Sequence, residues 1–144
     1  MIKKATLNDV PAIHHLEKKV LGDGLGQSFL YDEIAINPFG HYFVYEKNKE
    51  IVAYVGFRAI DDRAEMMNFV VDLDYQDQGI GSELMEYVLK YLYELGVLKI
   101  ALEVRKSNKR ARHFYEKFQF KASHTRANYY EKEDAIVYIR EVTK

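Results

Sequence analysis

The 144-residue sequence predicts an α/β fold in which helices cover both faces of a mixed β-sheet. Segments with the helical spacing of apolar residues are interspersed with strand-like segments along the whole chain. Short clusters of glycine, asparagine and aspartate separate these segments, as expected for turns. The length is that of one domain, at roughly 100–200 residues each, so we expect a single domain over residues 1–144.

The composition excludes several classes of protein. Hydrophobic residues make up 48% of the chain and charged residues 30%, with only 2 prolines, which is typical of a globular domain and not of a disordered chain. The 21 basic and 22 acidic residues give a net charge of -1, so we expect neither nucleic acid nor an anionic membrane as a partner. Cysteine is absent, which excludes disulfides, thiolate zinc sites and a cysteine nucleophile.

The sequence contains neither a targeting signal nor a metal-binding motif. Residues 1–6 lack the long apolar core of a signal peptide, and no stretch reaches the ~18 apolar residues of a membrane span. We therefore expect a cytoplasmic protein. The five histidines lack the spacing of a metal site, and no metal is expected.

The first half of the chain predicts one strand, two helices and then three antiparallel strands. Ile13, Leu16 and Val20 recur at helical spacing, and Gly22 begins a glycine-rich break after them. Runs rich in β-branched and aromatic residues, separated by turn residues, predict the strands. The expected elements are a strand at 2–5, helices at about 9–20 and 29–36, and strands at 42–45, 51–60 and 66–71.

The second half predicts a helix, a strand, another helix and two final strands. Gly96 follows the first of these helices at the position of a C-terminal cap. Ser107 and Asn108 are capping residues for the second. The expected elements are a helix at about 80–95, a strand at 100–104, a helix that carries residues 111–118, and strands at 120–123 and 135–142.

The loop Gln76-Asp77-Gln78-Gly79-Ile80-Gly81-Ser82 connects a predicted strand to a predicted helix. A helix N-terminus presents unpaired amide donors with about half a positive charge, and the two glycines let an anion approach this backbone. The loop lacks the Gly-Lys-Ser/Thr ending of a P-loop and the third glycine of the dinucleotide fingerprint. It predicts a phosphate or pyrophosphate site, and a glycine-rich turn without function is the alternative. The Asp77 carboxylate favours that alternative, because it would repel a pyrophosphate.

Several blocks of this sequence together resemble a known family. The pattern Gln76-x-x-Gly79-x-Gly81 is similar to the acetyl-CoA signature of the GNAT N-acetyltransferases. Within that family the chain resembles the ribosomal-protein alanine N-acetyltransferases (RimI), most strongly from 65 to 140. The resemblance implies the GNAT fold and acetyl-CoA as co-substrate. The further blocks are Asn68-Phe69-Val70-Val71-Asp72-x-Asp74-Tyr75-Gln76, Leu102-Glu103-Val104-Arg105-x-Ser107-Asn108, Phe114-Tyr115-Glu116-Lys117, Asn128-Tyr129-Tyr130 and Glu133-Asp134-Ala135-Ile136.

The resemblance also implies which residues bind acetyl-CoA. The backbone of Phe69, Val70 and Val71 would lie against the acetyl group and the pantetheine arm. Asn108 would hydrogen-bond that arm. The pyrophosphate would be held by the loop residues Gln76, Asp77, Gln78, Gly79, Ile80, Gly81 and Ser82.

Glu103 and Tyr115 are the catalytic residues that the resemblance implies, Glu103 as a general base acting through water and Tyr115 as a general acid. In its strand Glu103 faces away from the apolar residues, where a carboxylate needs a partner or a function. An ion pair with an arginine or lysine is the alternative for Glu103. Tyrosine has an ordinary pKa of about 10, which suits protonation of a thiolate; a core aromatic with a satisfied hydroxyl is the alternative for Tyr115. We expect an amide near Val71, freed by a strand splay or bulge, to stabilise the oxyanion.

The acceptor that the resemblance implies is a protein N-terminus with alanine or serine first, as in a ribosomal protein, acetylated by direct attack in a ternary complex. Tyr129 and Tyr130 would line the peptide side. An α-amine has a pKa of about 7.7–8.0 and a lysine one of about 10.4, so deprotonating lysine at neutral pH costs ~3.5 kcal/mol more. A GNAT enzyme for lysine or a small-molecule amine, and a CoA-binding module without catalysis, are the alternatives.

The chain departs from the family's pattern at a few positions. Gln119 stands where the family usually has glycine, Leu73 where it often has proline, and Asp77 where it has a basic or small residue. The segment 22–28 takes the place of an aromatic-Pro-Trp cluster near the acceptor, and this chain contains no tryptophan. The acceptor side is therefore where this chain differs most from the family.

Overall fold

The computed structural model describes residues 1–130 and 133–142, without the side chains of Asn128 and Tyr130. No helix in these residues is long and apolar enough to cross a membrane. Two short 3-10 turns, Leu7–Asp9 and Leu73–Tyr75, accompany the main elements. These are β1 (Ile2–Lys4), α1 (Val10–Leu21), α2 (Gln27–Ala35), β2 (Gly40–Lys47), β3 (Glu50–Ile60), β4 (Arg63–Val71), α3 (Ile80–Leu95), β5 (Lys99–Arg105), α4 (Lys109–Lys117), β6 (Lys121–Tyr130) and β7 (Glu133–Glu141).

The predicted fold class and the predicted order of elements are confirmed, and the largest error concerns β6. The sequence predicts a strand that stops at 123, whereas β6 continues to Tyr130. Residues 121–127 are all exposed, because β6 is the edge strand and pairs only with β7. An edge strand without a buried face has no apolar alternation for a sequence pattern to detect.

The sheet has the strand order β1-β2-β3-β4-β5-β7-β6. Every neighbouring pair is antiparallel except β4 and β5, which are parallel. The register between β4 and β5 covers only Arg63 with Lys99, Ala64 with Ile100 and Glu65 with Ala101. Beyond Glu65 the two strands separate, so the sheet opens along the remaining length of β4.

Each face of the sheet has its own apolar core. Helices α1 and α2 pack on one face and α3 and α4 on the other. The first core includes Val10, Ile13, Leu16, Leu30, Tyr42, Val44, Tyr54 and Val70. The second includes Phe43, Val55, Phe57, Leu84, Met85, Val88, Leu92, Ile100, Leu102, Val104 and Tyr115.

A buried carboxylate joins α2 to the sheet. The Glu33 side chain is 3% exposed and accepts hydrogen bonds from the Arg58 guanidinium at 2.9 Å through both oxygens. Tyr42 Oη and Asn37 Nδ2 also donate to it. Burial raises the pKa of Glu33, but these hydrogen bonds and the nearby Arg58 charge together outweigh burial and hold that pKa below its ordinary value. Glu33 is therefore a stable anion beneath α2.

Gln119 occupies the left-handed position that ends α4. Its φ is 70°, its N–H donates to the Glu116 carbonyl (3.0 Å), and the Phe120 N–H donates to the Tyr115 carbonyl (3.0 Å). This is the Schellman arrangement, in which glycine is the usual residue because a Cβ is strained there. Gln119, where the family usually has glycine, therefore adopts the backbone conformation that this helix end requires. Its Cβ makes that conformation less favourable, so we expect the substitution to lower the stability of the fold locally.

We predict that Gln119→Gly raises the free energy of unfolding by about 1 kcal/mol, because it relieves the left-handed strain at little other cost. Urea denaturation measures the change. Gln119→Ala is the matched control, since it removes the exposed side chain and keeps the Cβ. Equal stabilisation by both substitutions would contradict the account.

Candidate active site

Two clefts meet where β4 and β5 separate. The first, of about 600 Å³, lies beside the loop 76–82 and is called here the loop cleft. The second, of about 450 Å³, contains Glu103 and is called the Glu103 cleft. Leu21, Phe69, Asn108, Ala111 and Tyr115 line both clefts. A ligand in one cleft can therefore reach a group in the other.

The N-terminus of α3 opens toward the loop cleft. Gly79 precedes α3 with a φ of 82°, a left-handed conformation that strains any residue with a Cβ. Gly79, Gly81 and Ser82 line the cleft. The first-turn amides of α3 have no partner within the helix, so this end of the cleft suits an anionic group such as a pyrophosphate.

Cationic side chains of α4 lie beside the Asp77 carboxylate, which would otherwise repel an anionic ligand in the loop cleft. Arg110 Nη2 lies 3.0 Å from Asp77 Oδ1, and both residues line the loop cleft. Lys117 lines it as well and donates to Ser82 Oγ at 3.3 Å. Two cations therefore lie beside one carboxylate here, so the Asp77 charge is not isolated at the edge of the loop cleft.

The edge of β4 presents backbone groups to the gap between the strands. The Asp72 N–H donates to a carbonyl of β3 at 2.8 Å. The N–H and C=O groups of successive residues point to opposite sides along an antiparallel strand. The N–H and C=O of Val70 therefore face β3, like the N–H of Asp72, and those of Phe69 and Val71 face the gap. Gln76 Nε2 donates to the Val71 carbonyl at 3.1 Å. The Val71 N–H is thus directed into the gap, where the sequence analysis expects an oxyanion donor.

The predicted acetyl-CoA residues do not all contribute side chains to the loop cleft. The Gln78 side chain does not line the loop cleft: its Oε1 accepts a hydrogen bond from Lys47 Nζ, and its Nε2 donates to the Asp74 carbonyl. The Ile80 side chain is buried in the core and is 3% exposed. Only the backbone of these two residues is left for a ligand. The predicted residues that line the cleft are Phe69, Val70, Val71, Gln76, Asp77, Gly79, Gly81, Ser82 and Asn108.

Asn108 and Tyr115 stand at the junction of the two clefts. Asn108 caps α4, and its Oδ1 accepts a hydrogen bond from the Ala111 N–H at 3.1 Å. Its amide nitrogen is therefore the group left to face a ligand. Tyr115 is 9% exposed, and its ring contacts Phe114 and Phe120 at centroid distances of 5.6 and 5.7 Å. The tyrosine is packed in the core and also lines both clefts.

Glu103 projects from β5 on the face that carries α1 and α2. Leu102 and Val104 face the α3 side, so the alternation of β5 directs Glu103 the other way. Its side chain is 25% exposed and forms an ion pair with Arg126 of β6. The ion pair with an arginine, which is the alternative role expected for Glu103, is therefore present. A carboxylate can accept more than two hydrogen bonds, so this pairing does not exclude a role as base.

Tyr129 completes the surroundings of Glu103. A hydrogen bond to the Glu103 carboxylate raises the pKa of Tyr129, with burial as a smaller cause in the same direction. The phenol therefore remains a donor at neutral pH. The Arg126 guanidinium lies 4.3 Å from the centre of the Tyr129 ring. The side chain of Tyr130 lies outside the described residues.

Sequence reasoning missed Arg126 of the site. It falls in the part of β6 that the pattern did not predict, two residues before the Asn128-Tyr129-Tyr130 block. Arg110 belongs to the basic run Lys106-x-x-Lys109-Arg110-x-Arg112, for which the sequence favours a solvated helix face, with contact to the 3′-phosphate of CoA or to a ribosomal surface as the alternative. The spacing of Asp77 and Arg110 gives no sign of their contact, because it depends on how α4 packs beside the loop. Within the described residues no group of three histidine, aspartate or glutamate side chains could hold a metal ion.

Comparison with known proteins gives consistent results. A model of the acetyltransferase (GNAT) family matches residues 10–120. The ribosomal protein bS18-alanine N-acetyltransferase of Escherichia coli K12 is 33% identical over 144 residues, covering 94% of this chain and 93% of that protein. The crystal structure of the corresponding Escherichia coli enzyme superposes with a TM-score of 0.93 and 29% identity, covering 100% of this chain and 94% of that one. An N-acetyltransferase from Thermoplasma acidophilum, solved with coenzyme A, shares the fold at a TM-score of 0.81 and 16% identity over 95% and 96% of the two chains.

We predict that Arg110→Gln raises the KM for acetyl-CoA about threefold to fivefold, because it leaves the Asp77 charge without its cation beside the predicted pyrophosphate site. Adding Asp77→Asn removes that charge and restores most of the loss. Initial rates at several acetyl-CoA concentrations measure both effects. Lys109→Gln, a neighbouring charge outside the loop cleft, is the control. Additive effects of the two substitutions would exclude the coupling.

Proposed function

Because this chain belongs to the acetyltransferase (GNAT) family, we propose that it acetylates the N-terminal α-amine of ribosomal protein bS18. As a member of the GNAT family, the chain is an acetyl-CoA-dependent N-acetyltransferase. The observation that carries the proposal is the meeting of the loop cleft and the Glu103 cleft at the open edge of β4. This geometry lets an amine beside Glu103 approach a thioester beside Val71.

The loop cleft is proposed to hold acetyl-CoA. The glycine-rich loop and the N-terminus of α3 bind the pyrophosphate, and Arg110 neutralises Asp77 next to it. The pantetheine amides pair with the backbone of Phe69 and Val71 as an added strand would. The amide nitrogen of Asn108 donates to the same arm, since its oxygen is occupied by the helix cap.

Glu103 is proposed as the general base, acting through a water molecule. An acceptor α-amine at neutral pH is partly protonated, so it must lose a proton before attack. Arg126 and Tyr129 hold the Glu103 carboxylate in place, and its remaining lone pairs accept a proton from the amine through water. The ion pair and the base are therefore two functions of one carboxylate.

The remaining steps use the Val71 amide and Tyr115. The amine nitrogen attacks the thioester carbonyl carbon, and the Val71 N–H donates to the oxyanion that forms. The carbonyl re-forms as the carbon–sulfur bond breaks, and the attacking nitrogen loses its second proton to solvent. Glu103 passes the proton that it took from the amine to solvent as well. Tyr115 gives its proton to the leaving thiolate and regains one from solvent, so the net change is one amide and one free thiol.

The acceptor is proposed to enter through the Glu103 cleft. The segment 22–26, which carries no large aromatic residue, borders this cleft, and Tyr129 forms part of its wall. Alanine or serine as the first residue is proposed from the resemblance, and the relatives named bS18-alanine N-acetyltransferases support alanine. The cleft of about 450 Å³ has room for such a residue and for those that follow it. A ribosomal acceptor places the reaction in the cytoplasm, with residues 1–144 acting as one domain.

Mass spectrometry of two peptides incubated with acetyl-CoA tests the acceptor. One peptide has a free N-terminal alanine and no lysine, and the other has a blocked N-terminus and one internal lysine. We expect acetylation of the first alone, because its amine loses a proton far more easily at neutral pH. Acetylation of the second alone would establish a lysine enzyme instead. Binding of acetyl-CoA without either product would favour a metabolite acceptor or a module without catalysis.

We predict that Glu103→Gln lowers kcat about 10²–10⁴-fold, because the amide cannot take the proton. Tyr115→Phe lowers kcat as well, with little change in the KM for acetyl-CoA. Glu94→Gln, at an exposed position on α3, is the matched control and leaves both constants unchanged. If Glu103→Gln retains full kcat with correct folding, the carboxylate serves only in the ion pair with Arg126.

A further inference from the structure

A fully buried carboxylate lies under the segment that borders the Glu103 cleft. Glu17 of α1 is 0% exposed, and its Oε2 accepts hydrogen bonds from the Leu25 N–H at 3.0 Å and from Tyr54 Oη at 2.5 Å. A Cβ added at Gly24 would lie 2.4 Å from the Glu17 carboxyl carbon, so the segment packs directly on this group. The steps proposed above do not use this carboxylate.

Asn68 of β4 connects this carboxylate to the cleft. Asn68 Nδ2 donates to Glu17 Oε2 at 3.1 Å and to Tyr54 Oη at 2.8 Å. A register irregularity between β3 and β4 leaves Met67 without a partner, and such a bulge reverses the faces of the strand. Met66 consequently lies in the core beneath α3, while Asn68 faces α1.

The chemistry of the partners fixes which way the Asn68 amide points. A carboxylate can only accept hydrogen bonds, and the Tyr54 hydroxyl already donates its hydrogen to Glu17. Asn68 must therefore donate to both groups, and only its amide nitrogen can do so. Nδ2 is thus the end of the amide that faces Glu17 and Tyr54, and because their oxygens lie 2.5 Å apart they share one of its hydrogens. The amide oxygen must point the other way.

That direction leads to the Glu103 cleft. Asn68 and Glu103 both line it, and both project from the face of the sheet that carries α1. Among residues 1–130 and 133–142, with the side chains of Asn128 and Tyr130 left aside, no protein donor reaches Asn68 Oδ1 within hydrogen-bond distance. The cleft wall therefore presents a fixed hydrogen-bond acceptor on the same face as the proposed base.

From these contacts we infer that Asn68 is a further acceptor-binding residue: its Oδ1 accepts a hydrogen bond from the α-amine of the acceptor, and Glu17 is the positioning residue that holds the amide in this orientation. The inference rests on the proposed function, because it requires an amine in the Glu103 cleft. One N–H directed to Asn68 and one directed through water to Glu103 would turn the nitrogen lone pair toward the thioester.

The affinities of the protein for two peptides test the inference. They are measured in the presence of CoA that carries no acetyl group, so that no acetyl transfer can occur. One peptide begins with alanine, and the other carries a propanoyl group in its place and so lacks the α-amine. Calorimetry on the wild-type protein gives the ratio of the two affinities. We expect this preference for the amine to fall about tenfold in Asn68→Leu and Asn68→Ala, since a hydrogen bond to a charged donor is lost.

Each outcome separates this inference from the proposed function. An undiminished preference in both Asn68 variants overturns the inference alone. Absence of a preference in the wild-type protein means that no α-amine is recognised, which overturns the proposed function and this inference with it. CoA binding in the same titrations reports whether each variant is folded. Asn8→Ala, at an exposed position of the first 3-10 turn, is the matched asparagine control and should keep the preference.

Substitution of Glu17 tests its positioning role separately. Glu17→Leu removes the acceptor of Asn68 Nδ2, so the preference for the amine should fall although Asn68 is present. Glu17→Gln should recover most of it, since its oxygen can take the place of Oε2 and its nitrogen can face His14 Nδ1, which lies 3.9 Å from Glu17 Oε1. Equal preferences in the leucine and glutamine variants would overturn the role of Glu17.

Discussion

The separation of β4 from β5 is the constraint on which the rest of this site depends. Three residue pairs join the two halves of the sheet, and beyond Glu65 no ladder continues. An interior strand with an open edge is costly unless something pairs with it, because its amides and carbonyls lose their partners. Here the open edge lies between two clefts, so the backbone that the sheet leaves unpaired becomes available to a substrate.

The elements around this gap supply different parts of the site, and their contacts link those parts. α3 and α4 lie on one face and provide the helix N-terminus beside the loop cleft, the cap residue Asn108 and the ring of Tyr115. α1 and the segment after it lie on the other face, next to Glu103. β6 contributes Arg126 and Tyr129 from the edge of the sheet. The proposed reaction therefore takes place across the thickness of the sheet at the point where it is open.

Local patterns made the order of elements predictable, and the loop 76–82 was identified from its glycines and its position between a strand and a helix. The roles of Glu103 and Tyr115 came from a resemblance, and they stay predictions. A splay near Val71 is expected from the chemistry of the oxyanion, but the point where the gap begins, the bulge at Met67 and the full length of β6 depend on pairing between strands distant in sequence, which local patterns do not show. The contact between Asp77 and Arg110 likewise required the packing of α4.

Residue-resolved amide hydrogen exchange, with and without acetyl-CoA, tests the central claim most directly. The account predicts that the Val70 and Asp72 amides, which face β3, are protected in the free protein. The Phe69 and Val71 amides should exchange faster in the free protein and become protected when acetyl-CoA binds. Equal protection of all four amides in the free protein, or no change at Phe69 and Val71 with acetyl-CoA bound, would contradict a site built on the open edge of β4.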